Sequence, residues 1–194
     1  MNASNDLRMT VLAALFAALI AVGAFIAIPI GPVPIVMQNF FVLLTGLLLG
    51  PRWGLAACGV YLLAGALGLP VFAGGTGGLG RFFGPTGGYL LAYLPAVFLV
   101  GWLSRNKKKA MVWDALALIL ASGVIYGLGV SWLKLSTGMD WSKAVTVGMV
   151  PFLPGDLLKI VAAVVVARAA RPIIGNFTQS HQLHLTGESS TSRP

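Results

Sequence analysis

The sequence predicts an all-α integral membrane protein of six transmembrane helices, the sixth of them broken, and three observations carry that expectation. Of its 194 residues 57% are apolar and 9% charged, against about 45–50% and about 25% in a soluble globular domain. Uncharged stretches run for 43 residues from Met9 to Pro51, 28 from Trp53 to Gly80, 23 from Phe82 to Ser104 and 19 from Ala115 to Leu133, each near or above the roughly 20 that cross a bilayer. None shows the two-residue alternation of a barrel strand, and an open sheet edge cannot be satisfied in hydrocarbon, so the spans are expected to be helices.

In order, the expected spans are Met9 to Ile28, Ile35 to Leu49, Trp53 to Leu69, Gly88 to Leu103, Val112 to Leu133 and Ala144 to Ala167. The first long stretch crosses twice because Pro29-Ile30-Gly31-Pro32-Val33-Pro34 turns the chain in its middle. Proline has no N–H to give a helix and holds its predecessor out of helical conformation. Gly50-Pro51-Arg52 makes a second, tight turn between spans 2 and 3. Span 6 carries Pro151, Pro154 and Gly155, so its helix breaks and restarts near Gly155. Residues 1–174 then form the membrane domain. From 175 to 194 the composition turns to Ser, Thr, Gln and Glu, which predicts a disordered cytoplasmic tail.

Charge orients these spans. With the amino terminus inside, nine Lys and Arg fall on the cytoplasmic side (Arg8, Arg52, Arg105, Lys107, Lys108, Lys109, Arg168, Arg171, Arg193) and three outside (Arg81, Lys134, Lys143). That is the positive-inside bias. It predicts a multi-pass protein of the cell inner or plasma membrane with both termini cytoplasmic. The net charge of +8 is thereby read as a topology signal facing lipid, with no nucleic acid as partner. A cleaved signal peptide over residues 1–24 is the rival reading, opposed by an apolar run that continues past Ala24. The single cysteine, Cys58, excludes a disulfide scaffold. His181 and His184 lie in the tail without further ligands, so no metal and no cofactor is expected.

Four features carry function. The loop from Leu69 to Tyr89 holds eight of the 25 glycines but lacks the Gly-Lys-Ser/Thr ending of a phosphate loop; it reads as a lid over a pocket or as a flexible connector. In span 6, Asp156 and Lys159 stand three apart and share one helix face. Charge inside a membrane is costly and marks a solute path, unless the two neutralise each other as a structural pair. In span 1, Ala13, Ala17 and Ala21, with Ala14 and Ala18 beside them, form a smooth stripe for close helix approach, within the chain or with a partner. Gln38 and Asn39 place two amides in an apolar span, where they need a packed partner or a polar ligand.

Four ordered strings sharpen this: Pro32-Val33-Pro34-Ile35-Val36-Met37-Gln38, Leu47-Leu48-Leu49-Gly50-Pro51-Arg52, Gly68-Leu69-Pro70-Val71-Phe72-Ala73-Gly74-Gly75 running on to Gly84-Pro85-Thr86-Gly87-Gly88-Tyr89, and Pro154-Gly155-Asp156-Leu157-Leu158-Lys159. Together they resemble BioY, the biotin-specific substrate-binding (S) components of energy-coupling-factor (ECF) vitamin transporters, over about residues 8 to 170. The resemblance implies an S-component bundle whose outward-facing site is capped by the loops after helices 1, 3 and 5. It implies biotin as ligand, and as partners an ECF transmembrane coupling protein and two ABC-type ATPases, without which some members work. Ala13, Ala14, Ala17, Ala18 and Ala21 occupy the stretch that would meet the coupling protein. This chain carries no Walker motif, so ATP hydrolysis would belong to a partner.

Biotin offers a carboxylate, an apolar fused ring and a ureido group with two N–H donors. Lys159 is suited to the carboxylate and Asp156 to the ureido N–H groups. Phe72 and Tyr89 would cover the ring, and Gln38, Thr76 and Arg81 complete the expected contacts. The other function class, a membrane-embedded enzyme or a helical scaffold without a solute site, would need a nucleophile or metal set in the first case. In the second it would have no use for a charged pair in a broken helix.

Overall fold

Apolar residues, alanine and leucine foremost, fill nearly every position of the first span, leaving the backbone only its own hydrogen bonds to satisfy it in hydrocarbon. In the computed structural model, which describes residues 3–105 and 111–179, this stretch is α1 (Ala3–Phe25). Ala13, Phe16, Ala17, Ile20 and Ala24 face the core, while Leu7, Val11, Leu15 and Val22 are exposed.

The prolines then turn the chain as predicted, with one difference. Residues placed at the helix ends by the sequence instead form a short antiparallel hairpin, β1 (Ala27–Ile28) against β2 (Ile35–Val36), pairing Ala27 with Val36 and Ile28 with Ile35. Pro29 holds Ile28 extended, and strand pairing satisfies the backbone that a helix end would have left open.

The second helix, α2 (Gln38–Ala66), folds back on itself at Gly50, whose φ of 74° and ψ of −174° are non-helical. A Cβ placed on Gly54 would stand 3.7 Å from the Gly46 Cα, so residues 38–49 and 51–66 run as two antiparallel arms. These are the second and third spans, and the Gly50-Pro51 turn is where the sequence placed it. Only glycine adopts that backbone region freely, with a cost of about 1–3 kcal/mol for other residues. Gly50→Ala is therefore expected to lower stability by about that much, read as a fall in thermal midpoint of the detergent-solubilised chain.

The remaining elements are a short α3 (Gly80–Phe83), then α4 (Gly87–Leu103), α5 (Met111–Thr137) and α6 (Trp141–Gly148), one 3-10 turn over Val150–Phe152, and α7 (Leu153–Gln179). The sixth span is broken, but differently from the expected single interrupted helix. α6 is a separate short helix packed on α5 through Ala144 and Gly148. Met149 leaves helical geometry at φ −135°. Pro154 occupies the first turn of α7, where its missing N–H costs nothing. α7 starts two residues before Gly155 and runs for 27 residues in place of about 16, so residues 175–179 are helical where the sequence predicted the start of the tail. Residues 180–194, with His181, His184 and Arg193, lie outside the described residues, as do Lys107, Lys108 and Lys109.

Counting both arms of α2 with α1, α4, α5 and α7 gives six spans among the described residues. Their alternation puts Arg8, Arg52, Arg105, Arg168 and Arg171 at one end of the bundle and Arg81, Lys134 and Lys143 at the other. The basic end is tied together. Arg171 grips Asp114 with two bonds of 2.7 and 2.9 Å, joining α7 to α5, and Arg8 donates to the Phe177 carbonyl at 2.5 Å, joining α1 to α7.

Candidate functional site

At the hairpin end the bundle encloses a cavity of about 500 Å³, within the range of small-molecule sites. All seven residues expected to contact ligand line it: Gln38, Phe72, Thr76, Arg81, Tyr89, Asp156 and Lys159. They come from positions up to 121 residues apart in the chain, so the bundle, not local sequence, assembles them.

The floor is charged. Asp156 and Lys159 pair at 2.9 Å, both buried, on the first turns of α7. The Lys159 ammonium has three protons, and three acceptors surround it: Asp156 Oδ1 at 2.9 Å, the Val36 carbonyl of β2 at 2.8 Å and Asn39 Oδ1 at 3.1 Å. Asn39 donates in turn to Asp156 Oδ1 at 2.8 Å, and the Tyr126 hydroxyl donates to Asp156 Oδ2. One carboxylate thus accepts from α2, α5 and α7.

The roof is built, not slack. Phe72 N–H donates to the Thr76 carbonyl at 2.8 Å, and Gly78 N–H reaches back to Gly65 at 2.7 Å. Gly74, Gly75 and Gly78 take positive φ of 74°, 67° and 94°, which lets so tight a coil close. The Phe72 ring fills the space a side chain at Gly65 would need and meets Tyr61 and Phe82 edge-on, each at 5.6 Å. Thr76 lines the cavity but spends its hydroxyl on the Ala73 carbonyl at 3.0 Å. These bonds favour the lid over the flexible connector. Tyr89 presents its ring to the cavity and anchors its hydroxyl on the Gly148 carbonyl at 2.7 Å, tying α4 to α6. Arg81 lines the cavity from α3, exposed, and its guanidinium has no hydrogen bond or ion pair among the described residues.

Sequence reasoning missed Tyr93, Ser122 and Tyr126, which line the cavity from α4 and α5. A hydroxyl in an apolar span is the signal that could have found them. The α1 stripe divides: Ala13 and Ala17 are buried in the core, Ala14 and Ala18 are exposed, and Ala21 is half-buried. Among the described residues no three His, Cys, Asp or Glu side chains gather as a metal site would require.

A multi-pass helical bundle with a roofed, largely apolar cavity at one end and a few convergent polar groups at its floor is a membrane protein built to hold a small solute. The chain belongs to the BioY family, whose family model matches residues 1–176. It is 44% identical to the biotin transporter BioY of Thermotoga maritima over 161 residues, which cover 83% of this chain and 94% of that one. It is also 44% identical to the probable biotin transporter BioY of Pyrococcus horikoshii, over 80% of this chain and 91% of that one. The fold is similar to the crystal structure of an S-component for biotin from an ECF-type ABC transporter, with a TM-score of 0.83 and 31% identity over 89% of this chain and 95% of the other.

Proposed function

We propose that this chain binds biotin in the cavity and acts as the substrate-specific component of an ECF transporter that takes the vitamin up. The observation that carries the reading is the pairing of a roofed apolar cavity with a hydrogen-bonded Asp156–Lys159–Asn39–Tyr126 cluster, in a chain so close to proteins named as biotin transporters. Nine basic residues against three support a cavity that opens outward and termini that are cytoplasmic. Exposed Ala14 and Ala18 are the part of the stripe still available to a coupling protein, and two ABC-type ATPases would supply the hydrolysis.

The orientation of the ligand differs from that expected from sequence. All three Lys159 protons already have acceptors, whereas Arg81 has none. The ureido head therefore goes to the floor, its N–H groups taking the place of protein donors on Asp156. The carboxylate goes to Arg81 near the roof, where a guanidinium can grip it with two parallel bonds.

Equilibrium binding of labelled biotin to the purified chain in detergent tests this. The parent chain should bind biotin, and Arg81→Ala should weaken it by about tenfold or more, the loss of one charge-assisted contact. Biotinamide, neutral at that end, should lose little in the same variant. No binding by the parent would end the biotin reading, and equal losses for acid and amide would return the carboxylate to Lys159.

A further inference from the structure

A second polar patch borders the cavity, and unlike the Asp156 cluster it is not satisfied by well-formed hydrogen bonds of its own. The Gln38 amide nitrogen and the Tyr61 hydroxyl are both enclosed and both without a partner. Gln38 is 2% exposed and lines the cavity from the first turn of α2, and the Tyr61 hydroxyl of the second arm stands beside its side chain. Tyr93, 4% exposed, lines the cavity from α4 close to Tyr61; its hydroxyl has no hydrogen bond among the described residues. Buried polar groups left unpaired are few in native proteins and destabilising. Two such groups, with the Tyr93 hydroxyl unpaired on the cavity wall, point to a missing neutral partner.

An amide offers donors on one edge and an acceptor on the other. With the Gln38 amide turned over, the Tyr61 hydroxyl donates to Oε1 and Nε2 is freed at the opposite edge. The patch then holds two free donors, Gln38 Nε2 and the Tyr93 hydroxyl, and no charge. A carboxylate would be better served by Arg81 or Lys159, and an N–H donor by Asp156. What two neutral donors suit is a carbonyl oxygen with two lone pairs. We propose that Gln38 and Tyr93 are specificity-determining residues that donate together to the ureido carbonyl of the ligand, with Tyr61 as the residue that positions the Gln38 amide. This rests on the biotin reading and names how the head group is distinguished. A cyclic guanidine in place of the urea sets donor against donor at this patch and keeps the N–H groups that Asp156 accepts.

The test compares biotin with its cyclic-guanidine analogue, 2-iminobiotin, on the purified full chain in detergent. Gln38→Met and Tyr93→Phe should each weaken biotin about tenfold, the effect of leaving one buried acceptor a donor short, while 2-iminobiotin stays within about twofold of its parent value. Tyr61→Phe leaves Gln38 in place and should narrow the biotin-to-iminobiotin ratio by about threefold. Were all three variants to lower both ligands alike, or leave biotin untouched, the assignment would be overturned. Failure of the unaltered chain to bind biotin would overturn the function and this inference together. Binding by the unaltered chain with an unmoved ratio in all three variants would overturn this inference alone.

Discussion

Asp156→Ala is expected to lower biotin affinity by roughly a hundredfold, in line with the 2–5 kcal/mol lost when one member of a buried charged pair is removed. Three donors converge on this carboxylate, from Asn39, Lys159 and Tyr126. Its loss strands an ammonium that is 8% exposed with only two neutral acceptors. Stability should fall as well, by about 3–5 kcal/mol, because an uncompensated buried charge remains. The double variant Asp156→Asn with Lys159→Gln separates the two effects, since it removes the stranded charge but leaves the ureido N–H groups one neutral amide oxygen in place of a charged two-oxygen acceptor. Thermal unfolding in detergent should return toward the parent value, while equilibrium dialysis against labelled biotin stays weak. Recovery of binding in the double variant would make the pair a purely structural one.

The second large effect lies on the membrane face of α1. Ala14→Trp with Ala18→Trp should abolish co-purification with a transmembrane coupling protein and leave biotin binding within about twofold, since neither residue is near the cavity. Both alanines are exposed and four residues apart, one above the other on the helix. A flat patch of this kind lets a second backbone approach closely, and an indole fills it. The same change at Ala13 and Ala17, 5% and 6% exposed, has no room and should unfold the chain instead. Loss of biotin binding with assembly intact, in the Ala14 and Ala18 variant, would assign the exposed face to internal packing.

How much of this was legible in the sequence follows from what lipid does to the usual signals. Turns were readable because they depend on local chemistry: Gly50 and Pro51 fix a reversal whatever surrounds them. The shared face of Asp156 and Lys159 was readable from a spacing of three. The hairpin was not, because its strands are two residues each and their pairing joins residues seven and nine apart across a proline turn. Tyr93 and Tyr126 escaped for a different reason. In water an inward face declares itself by being apolar, but α4 and α5 are apolar on every side, with Trp102 and Leu120 exposed as freely as Val97 and Leu118 are buried. Lipid is as apolar as the core, so period alone cannot say which hydroxyl looks inward. The same blindness put all five alanines of α1 in one stripe that the fold splits between core and surface.

The bond from Lys159 to the Val36 carbonyl joins two events that would otherwise be independent. Val36 belongs to β2, part of the hairpin bordering the cavity, and the ammonium belongs to the charged floor of the cavity. Any solute that interacts differently with this ammonium when the bond is made and when it is broken must shift the hairpin equilibrium. By reciprocity the hairpin must shift affinity for the solute by the same factor. Occupancy of the cavity and the position of the hairpin are then linked equilibria whose coupling passes through a single nitrogen atom.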